Sequence, residues 1–542
     1  MGTHKLENIA KKAKLVAKSL ETKLSTLFEK RFWFLVVGFT LMFAIISLSI
    51  GMSQSVWFDE AYSITLAKRS VTELVHLTSI DVHPPVYYLI LHFWGGLFGF
   101  SELSLRLSSV IPMFFAIILM ASLLKRLFNK PFAGFATFLL CLSPMLIRYG
   151  FEIRMYAMAT MLAVLATIVL VIIEEEKNAK RRHLLQFAYA ALVALGMLTL
   201  YYTIVIWLTH FAYLLWRTIK NKQPILRQEF WLMYIIAVLL FTPWLFVAIK
   251  QFTNGALAQI SEPMTVNNLL GVFSFNLLYK PIWQLDQVFG LLLLGFITLF
   301  GILLAKTLKT KQKNARFLIF MAAGPLLVEI LICLIKPMYV ERYLVYSAPF
   351  LIALIAYSIF EARNKLRRFS TIYLFLLVGF GIFNLTQVGN FNFQRMQKPD
   401  IREMATRISV ADKKEETKDG RAKDEWDKGD RAKDERDKDD RAKTAELPIL
   451  TDSPYEAIEL GYYLPNAKIY FYAPYEKLGG GYAPLDKSEF KIFSGQDLKK
   501  FKCVRYVYYD AKITTVLEDA GLSNTKNQDT GHALKYSDFC RK

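Results

Sequence analysis

Cysteine is scarce, with four residues in a chain of 542. That excludes a small scaffold stapled by disulfides. Charge is thin as well: Asp, Glu, Lys and Arg make up 21%, hydrophobic residues make up 54%, and mean hydropathy is +0.30. Neither a disordered chain nor an ordinary water-soluble one has that balance. No G-x-x-x-x-G-K-[ST] loop occurs, so nothing points to nucleotide-driven chemistry. No metal-ligand spacing stands out. The two halves lack the internal repeat that many transporters show. Net charge is +20, yet no basic groove-entering motif accompanies it, which argues against nucleic-acid binding.

What the sequence does have is long apolar runs. They lie at 32–50 and near 107–124, 132–147, 157–173, 184–198, 201–217, 230–249, 286–306, 316–335, 343–360 and 369–388. Runs of this length predict a multi-pass helical membrane protein with about eleven spans. Residues 1–31 form a basic leader in which Leu6, Ile9, Ala13, Val16, Leu20 and Leu27 share one helical face. It reads either as a helix lying on an anionic membrane surface or as a solvated basic segment. Leader and first run together are too long for a cleaved signal, so an uncleaved first span with a cytoplasmic N-terminus is expected. Basic turns at Lys125–Lys130, Lys177–His183, Arg217–Arg227, Lys306–Arg316 and Arg363–Arg368 then belong in the cytoplasm. This parity works only if the apolar segment 84–100 does not cross; it is expected as an interfacial helix. The outside loops become 51–106, 148–156, 199–201, 250–285 and 336–342, and the C-terminus lies outside.

Composition changes after Asn390. Residues 411–445 are a charged insert in which Arg-Ala-Lys recurs at 421, 431 and 441. With no apolar face it reads as a solvated linker or a charged single helix. The flanking pieces, 391–410 and 446–542, alternate helical PDIREMATRI and PYEAIELGYYL with strand-like PILTD, AKIYFY and CVRYVYYD. They predict a small extracytoplasmic α/β domain. Cys503 and Cys540 both fall in it, so a disulfide there is open. Cys141 and Cys333 sit inside spans as packing residues.

Ionisable groups near membrane depth are costly, which makes them functional candidates. The first outside loop holds Trp57-Phe58-Asp59-Glu60-Ala61-Tyr62 and then Asp81-Val82-His83-Pro84-Pro85. The next holds Arg148 through Tyr156, including Glu152 and Arg154; a later turn holds Lys336, Tyr339, Glu341 and Arg342. Singly, each has a plain structural role: Asp59 and Glu60 as helix caps, Arg154 and Arg342 as snorkelling cations, His83 as a turn residue. Collectively they supply carboxylates, a histidine and arginines to one outer face, suited to a substrate with an anionic head and a greasy tail. A hydroxyl acceptor needs a carboxylate base, and a departing phosphate needs Arg or His. His210 and Glu329, inside spans, read as satisfied interior groups. The Gly479-Gly480-Gly481 run lacks the lysine of a phosphate loop and reads as a flexible loop.

WFDEAYS (57–63), DVHPPVYYLILHFW (81–94), SELSLRLSSV (101–110) and FEIRMYAM (151–158), in that order, resemble membrane glycosyltransferases of the GT-C type. More narrowly the pattern is similar to glycosyltransferase family 39, the protein mannosyltransferase-like group, over roughly residues 30–390. The resemblance implies a GT-C catalytic domain over 32–390 and a polyprenyl-phosphate sugar donor. It also implies inverting transfer outside the cytoplasm to a lipid, glycan or protein hydroxyl, with no cofactor beyond the lipid-linked donor; the family mostly works without a metal, and metal dependence stays open. By motif, Asp59 is the implied base and Glu60 the neighbour that shapes the site. Arg154 is the implied phosphate ligand, with His83, Glu152 and Tyr156 beside it; Arg342 and Tyr343 are a weaker match. Some relatives carry lysine where His83 stands and a different acid where Glu152 stands. The competing readings are a transporter or flippase of lipid-linked sugars, and a receptor whose outside domain binds a ligand.

Overall fold

The structure is a computed structural model. It describes residues 2–225, 229–253, 265–266, 268, 270, 287–308, 312–336, 339–362, 367–388, 400–412, 447–472, 482, 491–492, 495–509, 511–528 and 534–541. Residues 413–445 of the charged insert and the glycine run lie outside the described residues. The chain divides into two compact units: residues 1–53 with 78–391, and residues 54–77 with 392–542.

The first unit is helical, and a helix stands at every expected apolar run. Six described helices are long and apolar enough to cross a membrane, or seven if a bent pair counts as one span. Leader and first run form one helix, Gly2–Met52, broken at Arg31 where φ is −126° and ψ is 29°. Glu102–Leu127 starts on Ser101, whose hydroxyl accepts from Ser104 N–H, and ends with Lys125 and Arg126 in its last turn. Those cations complement the carbonyl end of the helix. The 132–147 run is not straight. Lys130–Cys141 stops, Ser143-Pro144 restarts the chain as Pro144–Phe151, and the two pieces bend by 63°. Serine at the cap and proline in the first turn explain the restart. The 84–100 segment forms the helix Val86–Phe98. Thirteen residues at about 1.5 Å each fall short of the roughly 30 Å hydrocarbon layer.

Small residues let these helices approach. A Cβ on Gly324 would meet Thr209 Cγ2 at 2.3 Å, so Lys313–Ile335 and Ile204–Lys220 pack almost backbone to backbone there. His210 is an interior group: its Nε2 meets Thr167 Oγ1 at 3.0 Å and its Nδ1 meets Tyr189 Oη at 2.9 Å. Glu329 is fully buried and accepts a weak bond from Cys333 Sγ at 3.5 Å.

The second unit contains a six-stranded sheet: β1 (Ile449–Thr451), β2 (Ile469–Tyr472), β3 (Lys491–Ile492), β4 (Cys503–Tyr508), β5 (Ser523–Gln528) and β6 (Lys535–Cys540). The order is β3-β2-β1-β4-β6-β5. The first four strands run parallel, while β6 is antiparallel to β4 and β5. Side chains alternate across the sheet, so both faces carry a core. Ile449, Ile469 and Val507 pack with Ile401, Met404, Ala457 and Leu460. Leu450, Val504 and Tyr506 pack with Leu498, Leu517 and Leu522 on the other face. Gly521, at φ +82°, turns the chain out of the Thr514–Asp519 helix, a conformation that disfavours a side chain. Cys503 and Cys540 are register partners in β4 and β6 and form a disulfide.

Arg505 on β4 is fully buried. It grips Asp538 through Nε (2.8 Å) and Nη2 (3.1 Å) and Asp412 through Nη1 (2.6 Å). Burial alone would weaken its hold on a proton; the two carboxylates outweigh burial and leave the guanidinium more basic than usual.

Candidate functional site

Two clusters carry the candidate residues, one in each unit.

In the first unit the centre is Arg154, 1% exposed. It sits in the non-helical break between Pro144–Phe151 and Tyr156–Glu175, where Arg154 N–H donates to Glu152 O at 2.6 Å. Apolar helices on either side bury the break, so its polar groups must find partners within the protein. Arg154 Nη1 donates to Tyr88 Oη at 3.3 Å, and Nη2 meets His83 Nε2 at 3.2 Å. Arginine has only donors, so Nε2 accepts. The imidazole hydrogen therefore belongs on Nδ1, which faces Asp81 Oδ2 at 3.6 Å. His83 and Asp81 are 4% and 1% exposed. An acid, a neutral imidazole and a guanidinium thus stand in a row, and the short stretch between two helices carries the first two.

Glu152 is buried, and its carboxylate lies 3.9 Å from Arg148 Nε. Tyr156 stacks edge-on with Tyr149 at 5.0 Å and lies 6.4 Å from the ring of Tyr343, which is tilted on Tyr202 at 4.7 Å. Arg342 is partly exposed and lies over Tyr343 at 5.8 Å. The structure thus gathers His83, Arg154, Glu152, Tyr156 and Tyr343 within one unit. It adds Tyr88 and Asp81 as partners. Arg106 stands nearby as a structural ion: it is fully buried, bonds Glu102 at 2.7 Å and reaches Phe151 O at 3.4 Å. Its spacing of four from Glu102 inside an apolar run was the available signal.

Asp59 and Glu60 belong to the second unit. They open the helix Phe58–Ala67, which packs along Pro454–Tyr463. The ring of Phe58 meets Tyr455 at 4.4 Å, and Val56 N–H donates to Tyr463 Oη at 2.7 Å. Glu60 Oε2 accepts from Trp57 N–H at 3.2 Å. This is the reciprocal half of a helix-start motif. Asp59 Oδ1 instead accepts from Tyr482 Oη at 2.6 Å. Both acids are buried. Sequence reading did not find Tyr482; its one signal was a tyrosine directly after three glycines. Among the described residues no three His, Cys, Asp or Glu side chains lie close enough to share a metal ion.

Residues 82–246 match the family model of the dolichyl-phosphate-mannose-protein mannosyltransferases. The stretch includes His83, Glu152, Arg154 and Tyr156. No curated protein matches the sequence. In structure the chain is similar to ArnT from Cupriavidus metallidurans bound to undecaprenyl phosphate: 14% identity, TM-score 0.61, with 94% of this chain and 98% of that one covered. It is also similar to the apo state of the same protein, at 12% identity and TM-score 0.57 over 93% and 97%. Residues 82–246 thus match the protein mannosyltransferase family model, and the fold over nearly the whole chain is similar to that of ArnT.

Proposed function

We propose that this protein transfers a sugar from a polyprenyl-phosphate carrier to a hydroxyl acceptor on the extracytoplasmic face of the cell membrane, with inversion at the anomeric carbon. About eleven spans, a cytoplasmic N-terminus and an extracytoplasmic α/β domain complete the reading. The observation that carries it is the buried Asp81–His83–Arg154 row, with its guanidinium in a break between membrane helices. A cation held by a neutral imidazole and a phenol stays positive and suits a phosphate monoester or diester. The structural neighbour bound to undecaprenyl phosphate supports a lipid-phosphate leaving group.

In the proposed step Asp59 takes the acceptor's hydroxyl proton. The oxygen forms a bond to the anomeric carbon as the bond from that carbon to the phosphate oxygen breaks. The polyprenyl phosphate leaves with the electron pair, and Arg154, held by His83, neutralises its charge. On the same reading Glu60 is the neighbour of the base, and Glu152, Tyr156, Arg342 and Tyr343 are substrate-binding residues.

Purified protein incubated with a panel of radiolabelled undecaprenyl-phosphoryl monosaccharides and crude cell envelope tests this. Labelled glycan, glycolipid or glycoprotein together with released undecaprenyl phosphate is expected. Movement of label across vesicles with no product would replace the reading with transport.

A further inference from the structure

Tyr482 is more than a neighbour of the acid pair. Its phenol reaches Asp59 Oδ1 at 2.6 Å, a short distance for a hydroxyl on a carboxylate. Its ring is clamped edge-on by Phe58 at 4.9 Å and Tyr62 at 4.7 Å. Both clamping residues lie on the Asp59 helix, and Phe58 is wedged in turn against Tyr455. The aromatic contacts therefore set where the phenolic oxygen stands, and that oxygen fixes how the carboxylate is rotated.

We propose that Tyr482 is a positioning residue for Asp59: its hydroxyl pins Oδ1 so that the other carboxylate oxygen keeps one direction for proton removal. The inference rests on reading Asp59 as the base, and it explains why the two adjacent acids differ. Glu60 is turned back onto its own helix start, whereas Asp59 is held by a residue more than four hundred positions away.

The test is Tyr482→Phe in the full-length protein, which keeps the clamped ring and removes only the hydroxyl. Carbodiimide with glycine ethyl ester labels carboxyl groups, and mass spectrometry separates Asp59 from Glu60. At one fixed pH, Asp59 labelling is expected to rise several-fold in Tyr482→Phe while Glu60 labelling and the melting temperature stay at the wild-type level. Equal Asp59 labelling in the two proteins overturns the inference, whether or not a substrate pair has been found. In the transfer assay, kcat is expected to fall roughly ten- to a hundredfold with donor KM unchanged, the range for losing a hydrogen bond to a charged group. Wild-type kcat overturns positioning. A fully active Asp59→Asn overturns the base reading instead, so the two failures are told apart.

Discussion

The backbone N–H of Trp57 donates to the carboxylate of Glu60 at 3.2 Å, closing the first turn of the Phe58–Ala67 helix. That one bond separates two acids that look equivalent in the sequence. Asp59→Asn is expected to lower transfer by at least a hundredfold, since a positioned general base contributes about 10²–10⁴. Glu60→Gln keeps an acceptor oxygen for Trp57 N–H and should retain activity within several-fold. Equal losses in both variants, measured as initial transfer rates, would remove the distinction.

Arg154 is expected to govern donor affinity. Arg154→Ala removes the cation and should weaken competition by undecaprenyl phosphate by roughly ten- to a hundredfold. Arg154→Lys keeps charge but cannot reach Tyr88 and His83 as a fork does, so it should recover only part of the loss. Unchanged inhibition constants in both variants would show that the phosphate binds elsewhere.

The Arg505–Asp538–Asp412 network makes a stability prediction independent of function. Arg505→Ala leaves Asp538 buried without its counter-ion and should cost the α/β unit about 3–5 kcal/mol. Replacing Arg505→Met together with Asp538→Leu should cost less, because the fully buried charge pair is gone and only the partly exposed Asp412 loses the guanidinium. Limited proteolysis of the full-length protein across a temperature series reports this. A double variant no better than the single one would refute the charge argument.

Orientation is open to a direct test. Thr72 is exposed on the Val71–Ile80 helix. Cys141 and Cys333 are buried, and the remaining two cysteines are bonded to each other. Thr72→Cys should therefore react with a membrane-impermeant maleimide added to intact cells. Labelling only after the cells are opened would place the acid pair on the cytoplasmic face and sink the proposed reaction.

Much of this molecule is local, and the sequence alone determined that part. Spans follow from runs of apolar side chains, because a helix satisfies its own backbone in lipid and needs no partner to do so. The strands β1, β2 and β4 and their helices follow from alternation and turn residues, and each was legible within about ten positions. Buried cations and acids near apolar runs marked His83, Glu152 and Arg154, because such groups are costly there without a role. Tertiary structure alone decided three things. The Ser143-Pro144 break and its 63° bend depend on how neighbouring helices receive the restarted chain. β5 and β6 carry Asn, Lys, Asp and Ser, and become strands only because β4 offers an edge to pair with. The Gln54–Leu77 segment joins the C-terminal unit and meets Tyr482 through contacts that span more than four hundred residues. Periodicity carries no information at that range; only the folded chain brings those side chains together.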